Sequence, residues 1–234
     1  YILNDCFDIQ HDGFHPRKAG RASAVKRLKK PLVSILVALC CLAGLSIAYM
    51  VDKSVFQLAL FYVALHLGYN FYARKVVILD VFFVAIGFQI RIWVGSFAAG
   101  IAPSAWLQMC VFLLALFLGF AKRRHEIVFL KDKAADHRRV FAHYTAYLLD
   151  QMIIICSTLA IVFYGLYTIS EEVMFKTGSY QMVYSVPFVI YGIFRYLYLI
   201  HVHKLGDDAG QILFSDVPLM ITVILWIAFC VKVI

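Results

Sequence analysis

Two constellations in this chain could do chemistry. The first, Asn4-Asp5-x-x-Asp8-x-x-x-Asp12, comes near its start. On a helix these positions fall at roughly 0°, 100°, 40° and 80°, so the four side chains share one face. Three carboxylates on one face repel one another unless a cation joins them. Hard divalent ions such as Mg²⁺ take carboxylate oxygens, keep some of their waters and bind substrate phosphates. The second constellation is Lys122-Arg123-Arg124-His125-Glu126. Here Lys122, Arg123 and Glu126 repeat the n, n+1, n+4 spacing of Asn4, Asp5 and Asp8. Lysine and arginine at a helix end suit phosphate capture, arginine through its two-pronged fork. Each set also has a plainer reading, a solvated acidic helix end for the first and a membrane-interface anchor for the second.

Other polar residues sit among apolar neighbours, where ionisable groups are usually functional. Asp80 and Arg91 are separated by a spacing that returns them to nearly the same helix face. Asp150 follows His137, Arg138 and Tyr144, and Arg195-Tyr196 interrupts a later apolar run. Asp80, Asp150 and Arg195 are expected either to line one cavity or to bond between helices. His201, His203, Asp207, Asp208 and Asp216 fit loop solvation better than a metal site.

The elements that must carry these residues follow from composition. Of 234 residues, 63% are hydrophobic and only 15% charged, against about a quarter charged in a soluble domain. That leaves too little polar surface for a water-facing globule and excludes an ordinary soluble enzyme, a disordered chain and a disulfide scaffold. The pattern predicts an all-α, polytopic transmembrane bundle. Seven apolar runs approach the ~20 residues a bilayer requires: 32–50, 54–73, 76–100, 104–121, 145–169, 183–202 and 214–234. Tyr1 to Ile9 reads as the tail of an earlier span, since the chain opens apolar and without Met. The six cysteines lie in apolar runs and form no zinc spacing, which predicts buried thiols. No repeat divides the chain, so residues 1–234 are expected to form a single domain.

Charge sets the orientation. With alternating spans, the basic segments 12–30, 74–75 and 122–139 and Lys204 all fall on one side, together holding 17 of the 22 Lys and Arg residues. Cytoplasmic loops are enriched in Lys and Arg, so this side is expected to face the cytoplasm. The net charge of +8 is thereby explained without a nucleic-acid partner. The acidic and the basic constellations then open on the same side and together suit a metal–diphosphate complex.

At this point the residues resemble a known family. Asn4-Asp5-x-x-Asp8-x-x-x-Asp12 at a helix end of such a bundle is similar to the first aspartate motif of the UbiA prenyltransferase superfamily. The resemblance implies nine helices around a cytoplasm-facing cavity, of which this chain would lack the first and most of the second. Prenyltransferase members carry a second motif, Asp-x-x-x-Asp, where this chain reads Ala121-Lys122-Arg123-Arg124-His125-Glu126. That stretch resembles the decaprenyl-phosphate phosphoribosyltransferase branch, as do Ile78-Leu79-Asp80-Val81 with Gly87 and Arg91, His137-Arg138, Tyr144, Leu149-Asp150-Gln151-Met152, 187–198, and Ser215-Asp216 with Pro218. The family's Arg-Pro-Ile-Ala-Ser-Gly stretch is replaced here by Arg21-Ala22-Ser23-Ala24, and Val217 stands where an arginine is common.

The resemblance implies transfer of 5-phosphoribose from phosphoribosyl diphosphate to a polyprenyl (decaprenyl) phosphate in a bacterial-type plasma membrane. It assigns Asp5, Asp8 and Asp12 to Mg²⁺, with Asn4 orienting the ion or the ribose. Lys122 and Arg123 would take phosphate oxygens with Glu126 positioning them, and Lys18 and Arg21 would assist. Tyr144, Asp150 and Arg195 complete the expected substrate contacts. Assembly of several copies stays open at this level, as do two rivals: prenylation of an aromatic acceptor such as 4-hydroxybenzoate, and a transporter. Transport sites usually lie near the midplane on interrupted helices, whereas most charges here gather at helix ends.

Overall fold

A computed structural model describes residues 30–130, 143–203 and 209–233. Among the described residues there are only helices and their connections, with no strand. In chain order they are α1 (Lys30–Val51), α2 (Lys53–Phe71), α3 (Leu79–Ala99), α4 (Ala105–Leu130), α5 (Ala146–Thr168), α6 (Glu171–Thr177), α7 (Val186–His201), α8 (Ala209–Ser215) and α9 (Val217–Val233). Short 3₁₀ turns precede α3 and α7, at Ala73–Lys75 and Gln181–Ser185.

Among the described residues, six helical stretches are long and apolar enough to cross a membrane; α8 and α9, bent by 96°, make a seventh if counted as one span. The expected runs and the observed helices thus agree closely, with two informative differences. α4 continues to Leu130 instead of stopping near Ala121. Its 26 residues rise about 39 Å against a hydrocarbon core of about 30 Å, so the Lys122–Leu130 end projects past the apolar layer. Lys, Arg and Glu are good helix formers, and nothing in this stretch breaks the helix. The last span, expected over 214–234, is interrupted at Asp216. Its carboxylate accepts the Leu219 N–H at 2.9 Å, an N-cap interaction that starts α9 afresh, and Pro218 suits the first turn.

The helices fall into two compact units. In the first, α2 packs against both α1 and α3. Asp52 alone separates α1 from α2, and its side chain caps α2 by accepting the Ser54 N–H at 2.6 Å. That bond also holds the Asp52 carboxyl below the usual range. Gly68 lets α2 and α3 approach closely, since a Cβ there would stand 3.3 Å from the Phe83 ring. α3 ends at Gly100, whose φ of 66° is left-handed and suits glycine.

In the second unit α4 and α5 are the most extensively packed pair, and α7 packs on α5 and α9. Phe117, Leu149 and Ile153 are fully buried there. Thr145 caps α5 by accepting the Leu148 N–H at 3.1 Å. The short α6 carries an exposed Glu172–Lys176 ion pair of 2.9 Å, which holds the Glu172 carboxyl below its ordinary range and raises Lys176.

Candidate active-site elements

The projecting end of α4 sorts its charged residues by direction. Lys122 is exposed, whereas Arg123 and Glu126 are 6% and 2% exposed. Arg123 Nη1 donates to Glu126 Oε2 at 2.7 Å, an i,i+3 ion pair. Arg123 and Glu126 turn inward against the neighbouring helices while Lys122 turns outward, so Lys122 and Arg123 do not present one surface, as their spacing had suggested. A buried charge pair of this kind persists only when each partner compensates the other.

Arg124, the next residue, ties α4 to its neighbours. Its Nε donates to Asp150 Oδ1 on α5, and its Nη1 lies 3.4 Å from the Ile200 carbonyl on α7. His201 Nε2 reaches the same Asp150 oxygen at 3.2 Å, while its Nδ1 sits 2.9 Å from the Leu197 carbonyl. Asp150 therefore holds three helices in register at the same end as Arg123 and Glu126. Arg195, expected among the substrate contacts, instead grips Asp216 with both prongs, at 3.0 and 2.8 Å. It thereby anchors α7 to the bend before α9. Of the remaining histidines in that region, His203 pairs with the Tyr198 hydroxyl at 3.3 Å.

In the first unit, Asp80 is fully buried in the first turn of α3, where the helix dipole favours a carboxylate. The Tyr144 hydroxyl donates to Asp80 Oδ1 at 2.9 Å and accepts the Ile78 N–H at 2.5 Å. Ile78 has φ 71° and ψ −44°, close to the strained γ-turn region that β-branched residues avoid. Such backbone strain is of order 1–3 kcal/mol and persists only where the surroundings over-determine it; here the Tyr144 phenol is what holds it. No sequence pattern pointed to the positive φ of Ile78, because such a conformation at a β-branched residue has no local signature. Tyr144→Phe is expected to lower stability by about 1–3 kcal/mol, since the buried Asp80 loses a donor. Ile78→Gly is expected to unfold no earlier than the parent and to recover part of the Tyr144→Phe loss. Thermal unfolding in detergent reads both outcomes.

Asp80 and Arg91 share a face of α3 but take different partners: Tyr144 for Asp80 and Tyr62 for Arg91. The sequence-identified Asn4, Asp5, Asp8, Asp12, Lys18, Arg21, His137, Arg138, Asp207 and Asp208 lie outside the described residues. Among the described residues there is no group of three or more His, Cys, Asp or Glu that could hold a metal. A cleft of about 480 Å³ between Ser104, Trp106, Leu166, Ile169 and Ser170 opens at the opposite ends of α4 and α5, and it holds none of the candidate residues.

Long apolar helices, with paired charges and capped turns confined mostly to their ends, define an integral membrane protein of helical-bundle type. Comparison with known proteins identifies which type. The model of the UbiA prenyltransferase family, a family of transferases, matches residues 1–215, and the chain belongs to that family. It is 28% identical to a decaprenyl-phosphate phosphoribosyltransferase of Mycolicibacterium smegmatis, over 97% of this chain and 73% of the relative. The corresponding protein of Corynebacterium glutamicum is also 28% identical, over 99% and 70%. Nodulation protein NoeC of Azorhizobium caulinodans is 32% identical over 58% of this chain and 45% of its own length.

Proposed function

We propose that this protein transfers 5-phosphoribose from phosphoribosyl diphosphate to a polyprenyl phosphate, releasing diphosphate. The observation that carries the reading is the projecting end of α4. Where prenyltransferases of the family place Asp-x-x-x-Asp, this helix presents an exposed Lys122 beside a buried Arg123–Glu126 pair. Cations suit the phosphates of a water-soluble donor. The relatives named for this activity, matched over nearly all of this chain and 70–73% of their own length, support it too.

The chemistry balances without a strong base. The C1–O bond to diphosphate breaks with its electron pair, and an oxygen of the lipid phosphate, already anionic, forms the new bond to C1. Positive charge grows on the ribose and negative charge on the leaving diphosphate, so preorganised cations stabilise the separation. Lys122 and Arg123 are assigned to phosphate oxygens, with Glu126 fixing the Arg123 fork; Lys18 and Arg21 are weaker contributors. Asp5, Asp8 and Asp12, with Asn4, form a hard-oxygen donor set that fits Mg²⁺. Bound there, the ion would supply charge neutralisation of the leaving diphosphate. Asp150, Arg195 and Tyr144 become positioning residues through their partners Arg124, Asp216 and Asp80.

The reading places the active site on the cytoplasmic face of a bacterial-type inner membrane, within one domain over residues 1–234. A membrane-embedded enzyme suits an acceptor whose polyprenyl tail lies in lipid. The test incubates protein in detergent with Mg²⁺, radiolabelled phosphoribosyl diphosphate and polyprenyl phosphate, followed by lipid extraction. Label is expected in the lipid phase only when all three are present. Folded protein that moves no label into lipid overturns the reading.

A further inference from the structure

One charge stands apart from the helix ends. Arg91 lies twelve residues beyond Leu79, about 18 Å along α3, near the middle of a hydrocarbon layer about 30 Å thick. Its side chain leans back toward the start of the helix, the end that follows Arg74 and Lys75. The guanidinium is held from two sides, 4.9 Å from the Phe88 ring centre and 5.3 Å from that of Tyr62. Nη2 donates to the Tyr62 hydroxyl at 2.5 Å. Among the described residues this phenol is its one hydrogen-bond acceptor, and Arg91 forms no ion pair there. The rings fix the orientation of the fork but neutralise none of its charge, and four of its five N–H donors have no acceptor among the described residues.

The surroundings extend this polarity along α2. Tyr62, His66 and Asn70 recur every four residues on one face. The His66 ring packs edge-on against Tyr62 at 4.4 Å. Asn70 is 4% exposed; its amide nitrogen donates to the His66 carbonyl at 2.8 Å, while its buried Oδ1 has no partner among the described residues. A polar stripe thus runs from mid-span to the basic end of α2, with Arg91 and His66 exposed beside Tyr62 and the buried Asn70. A span carrying an oriented, uncompensated arginine at this depth requires an anion or water beside it.

We propose that Arg91, steadied by Tyr62 and Phe88 with His66 beside them, is a subsite for a phosphate monoester. The proposal rests on the phosphoribosyl-transfer reading, which brings two such groups to the protein: the 5-phosphate of the donor and the head group of the polyprenyl phosphate. A phosphate matches an arginine fork in charge and in its spread of acceptor oxygens. Discrimination follows, because a ligand lacking the phosphate would leave the guanidinium unmatched.

The test measures thermal unfolding in detergent with ribose 5-phosphate against ribose, and with geranyl phosphate against geraniol. A phosphate-dependent rise in Tm is expected in the parent protein, abolished by Arg91→Ala and partly kept by Arg91→Lys. If ribose 5-phosphate gives the Arg91-dependent shift, the donor is the source. Arg91→Ala should then raise KM for phosphoribosyl diphosphate at least tenfold and that for polyprenyl phosphate less than twofold. If geranyl phosphate gives it, the two KM effects exchange. Should no Arg91-dependent shift appear and both KM values stay within twofold, the subsite is overturned. A loss of folding or kcat in both Arg91 variants with ligand shifts and KM values unmoved also overturns it and makes Arg91 structural. An Arg91-dependent shift in protein that transfers no label keeps the subsite and discards only the reaction.

Discussion

Asp5→Ala and Asp8→Ala are each expected to lower the initial rate of phosphoribosyl transfer by about a thousandfold, with the protein still folded. The size follows from the charge they are assigned to handle. A diphosphate is a poor leaving group until its negative charge is met, and a bound divalent ion supplies several kcal/mol of stabilisation at that point. A loss of about 4 kcal/mol is a thousandfold in rate. On a helix, Asp5 and Asp8 would lie about 60° apart, close enough to share one ion. Asn4→Ala and Asp12→Ala are expected to do less, and excess Mg²⁺ should restore part of the Asp12→Ala loss. Initial rates across a Mg²⁺ titration, with thermal unfolding as the control for folding, decide the matter. Rates within tenfold of the parent for both Asp5→Ala and Asp8→Ala would remove these residues from the metal site.

The second large effect is expected at Arg123 and Glu126, whose charges are 2.7 Å apart and nearly inaccessible to solvent. Removing one partner of such a pair strands the other in a medium that cannot solvate it, at a cost of about 3–5 kcal/mol. Glu126→Ala should therefore lower both stability and transfer, the latter by more than about a hundredfold, since an interaction worth about 3 kcal/mol translates into that factor. Glu126→Gln retains an acceptor and should lose less of each. The informative variant is the double replacement Arg123→Met with Glu126→Leu. Well-packed apolar residues commonly replace a buried ion pair at little cost to stability, so the double variant should unfold near the parent temperature. Transfer should nevertheless stay at the level of the weaker single variant, because the phosphate contact is gone. Recovery of transfer together with stability would make the pair purely structural.

Neighbouring residues show how far spacing could be read. Lys122, Arg123 and Glu126 were legible as a charged helix end, because helical angle follows directly from position. Which of them would turn inward was not, since that depends on the helices α4 meets. Asp150 and Arg195 were legible as ionisable residues in apolar runs. Their engagement with Arg124, His201 and Asp216 could not be read, because residues 26 to 51 positions from Asp150 and 21 from Arg195 must first be brought together. Arg91 was visible as a charge on the Asp80 face of α3, but its pairing with Tyr62 depends on how closely α2 approaches.

What the amino-acid sequence by itself determined is the helical, membrane-spanning architecture and its charge asymmetry. Hydrocarbon requires that each span satisfy its own backbone hydrogen bonds over about 20 apolar residues. Both that length and the excess of basic residues in certain connections are local properties of a linear chain. Tertiary structure alone decided the partners: the Tyr144 phenol that links Asp80 to the left-handed Ile78, the Arg195 fork on Asp216 at the α8–α9 bend, and the sharing of Asp150 by Arg124 and His201. A buried polar group must find a partner of complementary chemistry and geometry. That partner is set by the packing of whole helices, to which no periodicity within one of them gives access.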